Sequence, residues 1–371
     1  MAYWLSPALT VLLALVTLQP LLRIRHWLVR GHDFPRLQYA ALALVLVAWN
    51  AWATDSSGPL SWWPTALAVA CFAYQAYWIQ PYTRLHASEA KTVTGGDGAG
   101  VLRIMNVNVL MTNRNADGLL GIVRQANPDL LIAVETDLWW QTRLDALEKD
   151  WPHTVKCPLE NLYGMHLYSR FPLIDAAIQY LVEPDIPSIH AMVELPGGQR
   201  VTLHCLHPKP PSPTENPGSD ERDAELIVVA GSVAETGSGV PVVVAGDLND
   251  VAWSSTTRLF RKISGLLDPR VGRGMYNTFH AGYPFLRWPL DHLFHSDHFG
   301  VIGLRRLPAF GSDHFPILVE LALVEGLEHR QEGLEPDSED RRRAARTAES
   351  EDVGPEDVHD PARTTGLLNG A

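Results

Sequence analysis

From Met1 to Leu22 the chain carries no charged side chain, and this apolar head constrains the fold more than any other feature. Tyr3 to Leu22 is almost wholly apolar. Leu37 to Ala53 is a second apolar run, broken only by Gln38 and Asn50, and Ser61 to Ile79 is a third. Each approaches the roughly 17–25 residues that cross a hydrocarbon core. Trp4, Trp27, Trp49, Trp52, Trp62, Trp63 and Trp78 cluster toward the ends, as in an interfacial aromatic belt. A cleaved signal peptide fits poorly, because no basic residue precedes the first run and two more runs come after it. The expectation is three transmembrane helices within residues 1–80. The first connection holds Arg23, Arg25, Arg30 and Arg36 against Asp33 alone, while Thr54 to Leu60 holds only Asp55. Positive residues stay inside, so a multi-pass protein of the inner (plasma) membrane is expected, with the chain beyond the third span in the cytoplasm.

Composition bounds the rest. Net charge is −12, and the stretch from Glu325 onward holds 13 Asp and Glu against 6 Arg. Neither part has the basic excess with which proteins grip long nucleic acids, so strong electrostatic binding of duplex DNA is not expected. Cys71, Cys157 and Cys205 are too few and too scattered for a disulfide framework or a zinc site. Residues 325–371 lack apolar periodicity and read as a disordered charged tail. Residues 81–100 read as a linker, which leaves one large domain at 101–324. Nothing in the chain points to a protein partner.

That domain alternates strand-like and helix-like segments. Leu102 to Val109, Asp129 to Val134, Met165 to Ser169, Ser188 to Leu195, Val201 to His207, Val240 to Ala245 and Phe315 to Leu323 read as strands. Leu119 to Gln125 and Ser219 to Thr236 read as helices, the second with Ser219 as N-cap. Several consecutive strands within the alternation suggest two packed sheets flanked by helices.

Polar residues gather at the ends of these apolar strands. Asn106 and Asn108 lie two apart in the first strand and so share a face; an amide there is costly without a partner, such as a metal or a phosphate. Glu135 ends the next strand. Asp247 and Asn249 follow Val242-Val243-Val244-Ala245-Gly246, Asp291-His292 follows Trp288-Pro289-Leu290, and Ser312-Asp313-His314 opens the last strand. His204 and His207 close the strand from Val201, three apart, so that an odd offset puts them on opposite faces. The oxygen-rich set suits Mg²⁺ or Mn²⁺, and the histidines beside carboxylates can move protons near neutral pH.

Taken in order, these pieces resemble the endonuclease/exonuclease/phosphatase superfamily, which includes DNase I, exonuclease III, neutral sphingomyelinases and inositol polyphosphate 5-phosphatases. The matching segments are Met105-Asn106-Val107-Asn108, Pro128-Asp129 through Glu135-Thr136, Ser169-Arg170-Phe171-Pro172, Leu206-His207-Pro208, Gly246-Asp247-Leu248-Asn249, Leu290-Asp291-His292 and Ser312-Asp313-His314-Phe315-Pro316. The head, with its loop from His26-Trp27 to Phe34-Pro35-Arg36, is similar to that of a membrane-anchored bacterial branch. The resemblance implies a four-layered α/β sandwich and hydrolysis of a phosphodiester or phosphomonoester by in-line attack of water. It implies Glu135 as ligand of a divalent metal, with Asn106 beside it as ligand or phosphate contact. Asp247 would activate or orient the attacking water, Asn249 would hold a phosphate oxygen, and His207 would be the candidate acid for the leaving oxygen. His314 would contact the scissile phosphate and transfer a proton, its tautomer and charge fixed by Asp313 or Asp291. The substrate would be a nucleic acid, a phospholipid head group or a small phosphorylated molecule. A catalytically silent scaffold on the same fold is the alternative, but Glu135, Asp247, Asn249 and His314 are all present.

Overall fold

The computed structural model describes residues 2–22, 24–54, 59–95 and 100–366. Arg23, most of the expected turn after Thr54, residues 96–99 of the linker and 367–371 of the tail lie outside them. The domain is built on two mixed sheets. In the first, β10 (Phe299–Arg306), β11 (Ile317–Leu323), β1 (Val101–Asn108), β2 (Leu130–Val134), β4 (Met165–Ser169) and β3 (His153–Cys157) lie side by side in that order. In the second, β5 (Leu173–Gln179), β6 (Ser188–Glu194), β7 (Arg200–Leu206), β8 (Val242–Asp247) and β9 (Asp291–His295) keep chain order. Each sheet has one parallel pair, β1 with β2 and β7 with β8. Parallel neighbours need a crossover, supplied by α5 (Ala116–Ala126) and α7 (Asp220–Thr236).

Alternation along the strands makes the layers. Leu102, Ile104, Ile132, Val134, Leu203, Cys205, Val243, Ala245 and Leu293 point between the sheets and form the central core. Met105, Val107 and Leu131 point the other way, onto α5 and α6 (Leu138–Leu144). Val242, Val244 and Phe294 pack under α7 and α8 (Ser255–Ser264). Strands buried on both faces read as continuous apolar runs, which is why β1, β2 and β8 were legible. The half-buried edge strands β3 and β5, the short β9 and the bulged β10 were not anticipated, nor were α6 and α8.

Three expectations outside the domain are corrected. The tail does not stand free: α9 (Ser338–Glu349) starts at a capping box on Asp337 and buries Ala344, Thr347 and Ala348. Ala348 joins the core beneath α7, and Ala362 in α10 (Pro361–Thr364) packs on Met192 and Val240. Small alanines fit a close approach while adding little to a hydropathy count, so composition hid this docking. The linker is docked as well, with Val93 N–H donating to the Val301 carbonyl and Val301 N–H to that of Lys91.

The head forms three helices, α1 (Ala2–Leu18), α3 (Arg36–Ala53) and α4 (Trp63–Ile79), with α2 (Trp27–Arg30) in the first connection. Among the described residues one helical stretch, Trp4–Leu22, is long and apolar enough to cross a membrane by length and composition. The expectation of three such helices is met by one: Arg36, Gln38 and Asn50 dilute α3, and α4 stops at 17 residues. Inside the bundle Asn50 donates to Thr10 (2.9 Å), Gln75 to Thr17 (3.1 Å) and Arg36 to Gln75 (3.1 Å). Leu12, Leu15, Leu44, Val45 and Trp52 are exposed on its outside. The first connection lies against the domain: Trp27 N–H bonds the Pro217 carbonyl, Trp253 Nε1 donates to that of Asp33, and Arg30 reaches Thr256.

Candidate active site

At one end of the sandwich the inward-facing stripes change from apolar to polar. Ile104 is followed on its face by Asn106 and Asn108, Ala245 by Asp247 and Cys205 by His207, while Leu293 is preceded by Asp291. Asp247 and Asp291 are direct register partners on β8 and β9. The two sheets therefore deliver their polar residues to one place, and the packed core below holds them rigidly.

His314 is the hub. Its Nδ1 lies 2.8 Å from Asp291 Oδ2 and its Nε2 3.5 Å from Asp247 Oδ2. Burial alone would push the imidazole down, but Asp291 and Asp247 outweigh it and hold the pKa near 10. Asp247 would be raised by burial, yet the His314 charge, a hydrogen bond from Asn249 N–H (3.0 Å) and one from Asn108 keep it below the usual carboxylate range. Of the two carboxylates expected to orient His314, Asp291 does so, while Asp313 lines the cleft. Ser312 Oγ donates to the Asn108 carbonyl and accepts from His314 N–H, fixing the loop that carries the histidine.

Glu135 follows β2 with φ of 61° and Asn249 follows β8 with φ of 50°. Such backbone in a non-glycine residue costs on the order of 1–3 kcal/mol and is concentrated at functional sites. In the structure, Asn108 Nδ2 donates to Glu135 Oε1 (2.7 Å) and to Asp247 Oδ2 (3.1 Å), so one amide joins the two carboxylates. Burial pushes the Glu135 carboxyl up to about 7, against Asn108 and His314. Asn106 lies one pleat deeper and donates to Asp291 (3.0 Å), while its buried Oδ1 has no hydrogen-bond partner. Asn249 donates to the Pro208 carbonyl and its own carbonyl accepts from Arg222. His207 lines the cleft under the Tyr163 ring at 5.3 Å; burial lowers its pKa to about 4, leaving it neutral. His204 points to the other face, where its Nδ1 meets that of His190 at 2.7 Å.

Asn108, Glu135, His207, Asp247, Asn249, Asp313 and His314 line a cleft of about 340 Å³. Its walls include Phe34, Tyr163 and Phe279, none of which sequence reasoning singled out. Phe279 lies in an irregular segment without periodicity, and Phe34 is distant in sequence. Asn108 had a signal, since it repeats Asn106 two positions on. Asp247, Asp291 and His314 bring ligand atoms within 4.8 Å of one another. Beside that cluster, Glu135 and Asp313 line the cleft and the buried Asn106 Oδ1 has no hydrogen-bond partner, so oxygen acceptors for a hard cation stand around it. Oxygen donors without sulfur fit Mg²⁺ or Mn²⁺ chemistry.

The sequence pattern of the Endonuclease/Exonuclease/phosphatase family matches residues 105–314, and the chain belongs to that family. Its chemistry is the hydrolysis of phosphate esters, generally with a divalent metal ion. No curated protein matches the chain in sequence. Among solved structures it is similar to the human Nocturnin catalytic domain with bound sulfate, at 17% identity and a TM-score of 0.50, over 61% of this chain and 95% of that one. It is also similar to a functionally unknown conserved protein from Enterococcus faecalis V583, at 15% and 0.50, over 60% and 100%. An endonuclease/exonuclease/phosphatase from Beutenbergia cavernae DSM 12333 matches at 18% and 0.49, over 60% and 72%. What is shared at such identities is the fold.

Proposed function

We propose that this chain is a membrane-anchored phosphoesterase that uses Mg²⁺ or Mn²⁺ to hydrolyse a phosphodiester or phosphomonoester by in-line attack of water. The observation that carries the reading is His314 held between Asp291 and Asp247 in a cleft that also presents Glu135. Asp247, kept ionised, takes the proton of the attacking water. His314, kept protonated, lies where negative charge develops on the phosphate and gives the proton to the leaving oxygen. That role was expected of His207, which is neutral and serves instead as a hydrogen-bonding partner of the phosphate. Asn249 orients a phosphate oxygen, and Asp291 fixes the His314 tautomer. Glu135 and Asn106 would hold a divalent cation, which would supply charge neutralisation for the phosphate.

Anchoring is supported by the apolar stretch Trp4–Leu22 and by the distribution of residues in the bundle. Polar side chains pair with one another inside it beside Leu13 and Leu46, while Leu12, Leu15, Leu44 and Val45 face out, as in a bundle surrounded by lipid. The arginine-bearing connection packs on the domain, so the two share a side, and the positive-inside rule makes that side the cytoplasm.

The test is hydrolysis of bis(p-nitrophenyl) phosphate and p-nitrophenyl phosphate by the full chain in detergent. Turnover that needs Mg²⁺ or Mn²⁺ and stops with chelator is expected. Absence of turnover with either ion on both, and on vesicle phospholipids and a single-stranded DNA oligonucleotide as well, would refute the reading in favour of a silent binding protein.

A further inference from the structure

We infer that the cleft takes its phosphate ester from the plane of the membrane, so that the substrate is a bilayer-resident phospholipid-type phosphodiester. The inference rests on the anchored phosphoesterase reading above and names its substrate class. Four observations carry it.

The first is the wall of the cleft. Phe34 comes from the connection between α1 and α3, not from the domain, yet it lines the cleft and packs edge-on against Trp288 at 5.8 Å. The apolar head is thus part of the substrate's surroundings.

The second is the rim. Residues 280–287 form a loop tied to the first turn of α3, with Gln38 Nε2 donating to the Phe285 carbonyl at 2.8 Å. On it Phe285 is 86% exposed, Tyr283 58% and Leu286 48%. Three large apolar side chains on one short loop form an exposed patch of the kind that marks an interaction surface. Arg287 is turned away from them, bonded to the Ala281 carbonyl and lying over the Phe315 ring.

The third is level. The chain of bonds from Arg36 to Gln75 to Thr17 brings the end of α1, the start of α3 and the end of α4 to one height. There Ala40 and Ile79 pack on Val251 and Trp253 of the domain. The loop with Phe285 is bonded to α3 at this height, level with the end of the apolar stretch Trp4–Leu22, where aromatic side chains partition into the interface.

The fourth is charge. Among the described residues lining the cleft none is Lys or Arg, and the neighbouring Lys209 is paired with Glu183 at 3.1 Å. A polynucleotide brings further phosphates on both sides of the scissile one, and proteins meet them with cations. One phosphate flanked by apolar walls matches a lipid head joined to its glycerol or ceramide. In the reaction the water oxygen bonds to phosphorus, one P–O ester bond breaks, and the leaving oxygen takes a proton. The products are an alcohol and a phosphomonoester.

The experiment uses the full chain reconstituted with Mg²⁺ in vesicles containing phosphatidylethanolamine, phosphatidylglycerol, phosphatidylcholine and sphingomyelin. Phosphorus NMR follows the lipid products, and bis(p-nitrophenyl) phosphate and a single-stranded DNA oligonucleotide serve as water-soluble arms. Hydrolysis of at least one vesicle lipid in preference to the oligonucleotide is expected. Phe285→Ser and, separately, Tyr283→Ser should each lower the ratio of lipid to bis(p-nitrophenyl) phosphate turnover about tenfold, the effect of one aromatic side chain on partitioning. Cleavage of bis(p-nitrophenyl) phosphate with no lipid cleaved, preference for the oligonucleotide, or unchanged ratios in both variants would overturn the inference and leave the phosphoesterase reading standing. Inactivity of the unmodified chain on all three substrate types would instead overturn that reading, and this inference with it.

Discussion

In the proposed mechanism the Asp247 carboxylate and the His314 imidazolium act on one phosphate from two different strand ends, and each favours the charged form of the other. Asp247→Asn and His314→Ala should each lower turnover about 10²–10⁴-fold, the scale of positioned acid–base and charge-stabilising groups. The double variant should be little worse than the worse single one, because groups acting in one step are not additive. Glu135→Gln should differ: added Mg²⁺ recovers part of its loss, since a ligand charge has gone while Asp247 and His314 remain. Steady-state kinetics across a Mg²⁺ series checks all four. Histidines also set the acid limit of the fold. Burial holds His166, His204, His207 and His295 at a pKa of about 4 and His292 at about 3. An unfolded histidine, with a pKa near 6.5, binds protons that these cannot. Their contribution is complete above about pH 6.5 and is lost as pH falls toward 4, on the order of 3 kcal/mol for each. His314 has the opposite sign, full below about 6.5 and lost toward 10, so it leaves the acid window unchanged. The melting temperature should therefore fall steeply between pH 6.5 and 4; a flat profile there would contradict the buried, neutral state of these rings.

At the scale of elements, the site exists because strand alternation carries polar residues to the same end of both sheets. Gly246 shows how tight that construction is. It sits at φ of 149°, and a Cβ there would lie 1.8 Å from the Leu206 carbonyl oxygen on β7. Gly246→Ala should push β8 away from β7 just before Asp247. The expected result is a lower melting temperature together with loss of most turnover, read by thermal unfolding and the phosphodiester assay. A stable, fully active variant would mean that the strand spacing next to Asp247 is not critical. The tail elements α9 and α10 teach the complementary point. Their charge density reads as disorder, yet an Asp337 capping box and the Lys262–Asp340 ion pair seat α9 on the domain.

At the scale of the whole molecule, the first connection and the domain lie on one side of the bundle. Both one and three spans, being odd in number, put the domain on the side of the arginines. Alkaline phosphatase fused after Lys91 should be inactive, and strong activity would place the domain outside. The acidic balance of the chain has its own consequence. Binding to duplex DNA should be weak and shallow in salt, because few phosphate counterions are released. A slope equivalent to about six or more released ions, read by titration at several salt concentrations, would favour a nuclease that grips duplex DNA.

Local sequence was enough for the strands buried on both faces, for the two crossover helices and for the polar residues at their ends, because burial and period-two alternation leave their mark within a few residues. Asn106, Glu135, Asp247, Asp291 and His314 could be picked out that way. Which of them touch could not. That Asp291 rather than Asp313 holds His314, that Asn108 joins Glu135 to Asp247, and that His207 is neutral all depend on distances across two sheets and on burial by residues far away in the chain. The same holds for the tail, whose alanines matter only once α7 and α8 lie beneath them, and for Phe34, which becomes part of the cleft only when the apolar head folds back on the domain. Composition records what a residue is; its charge, its partners and its access to substrate are set by neighbours that only the tertiary fold brings near.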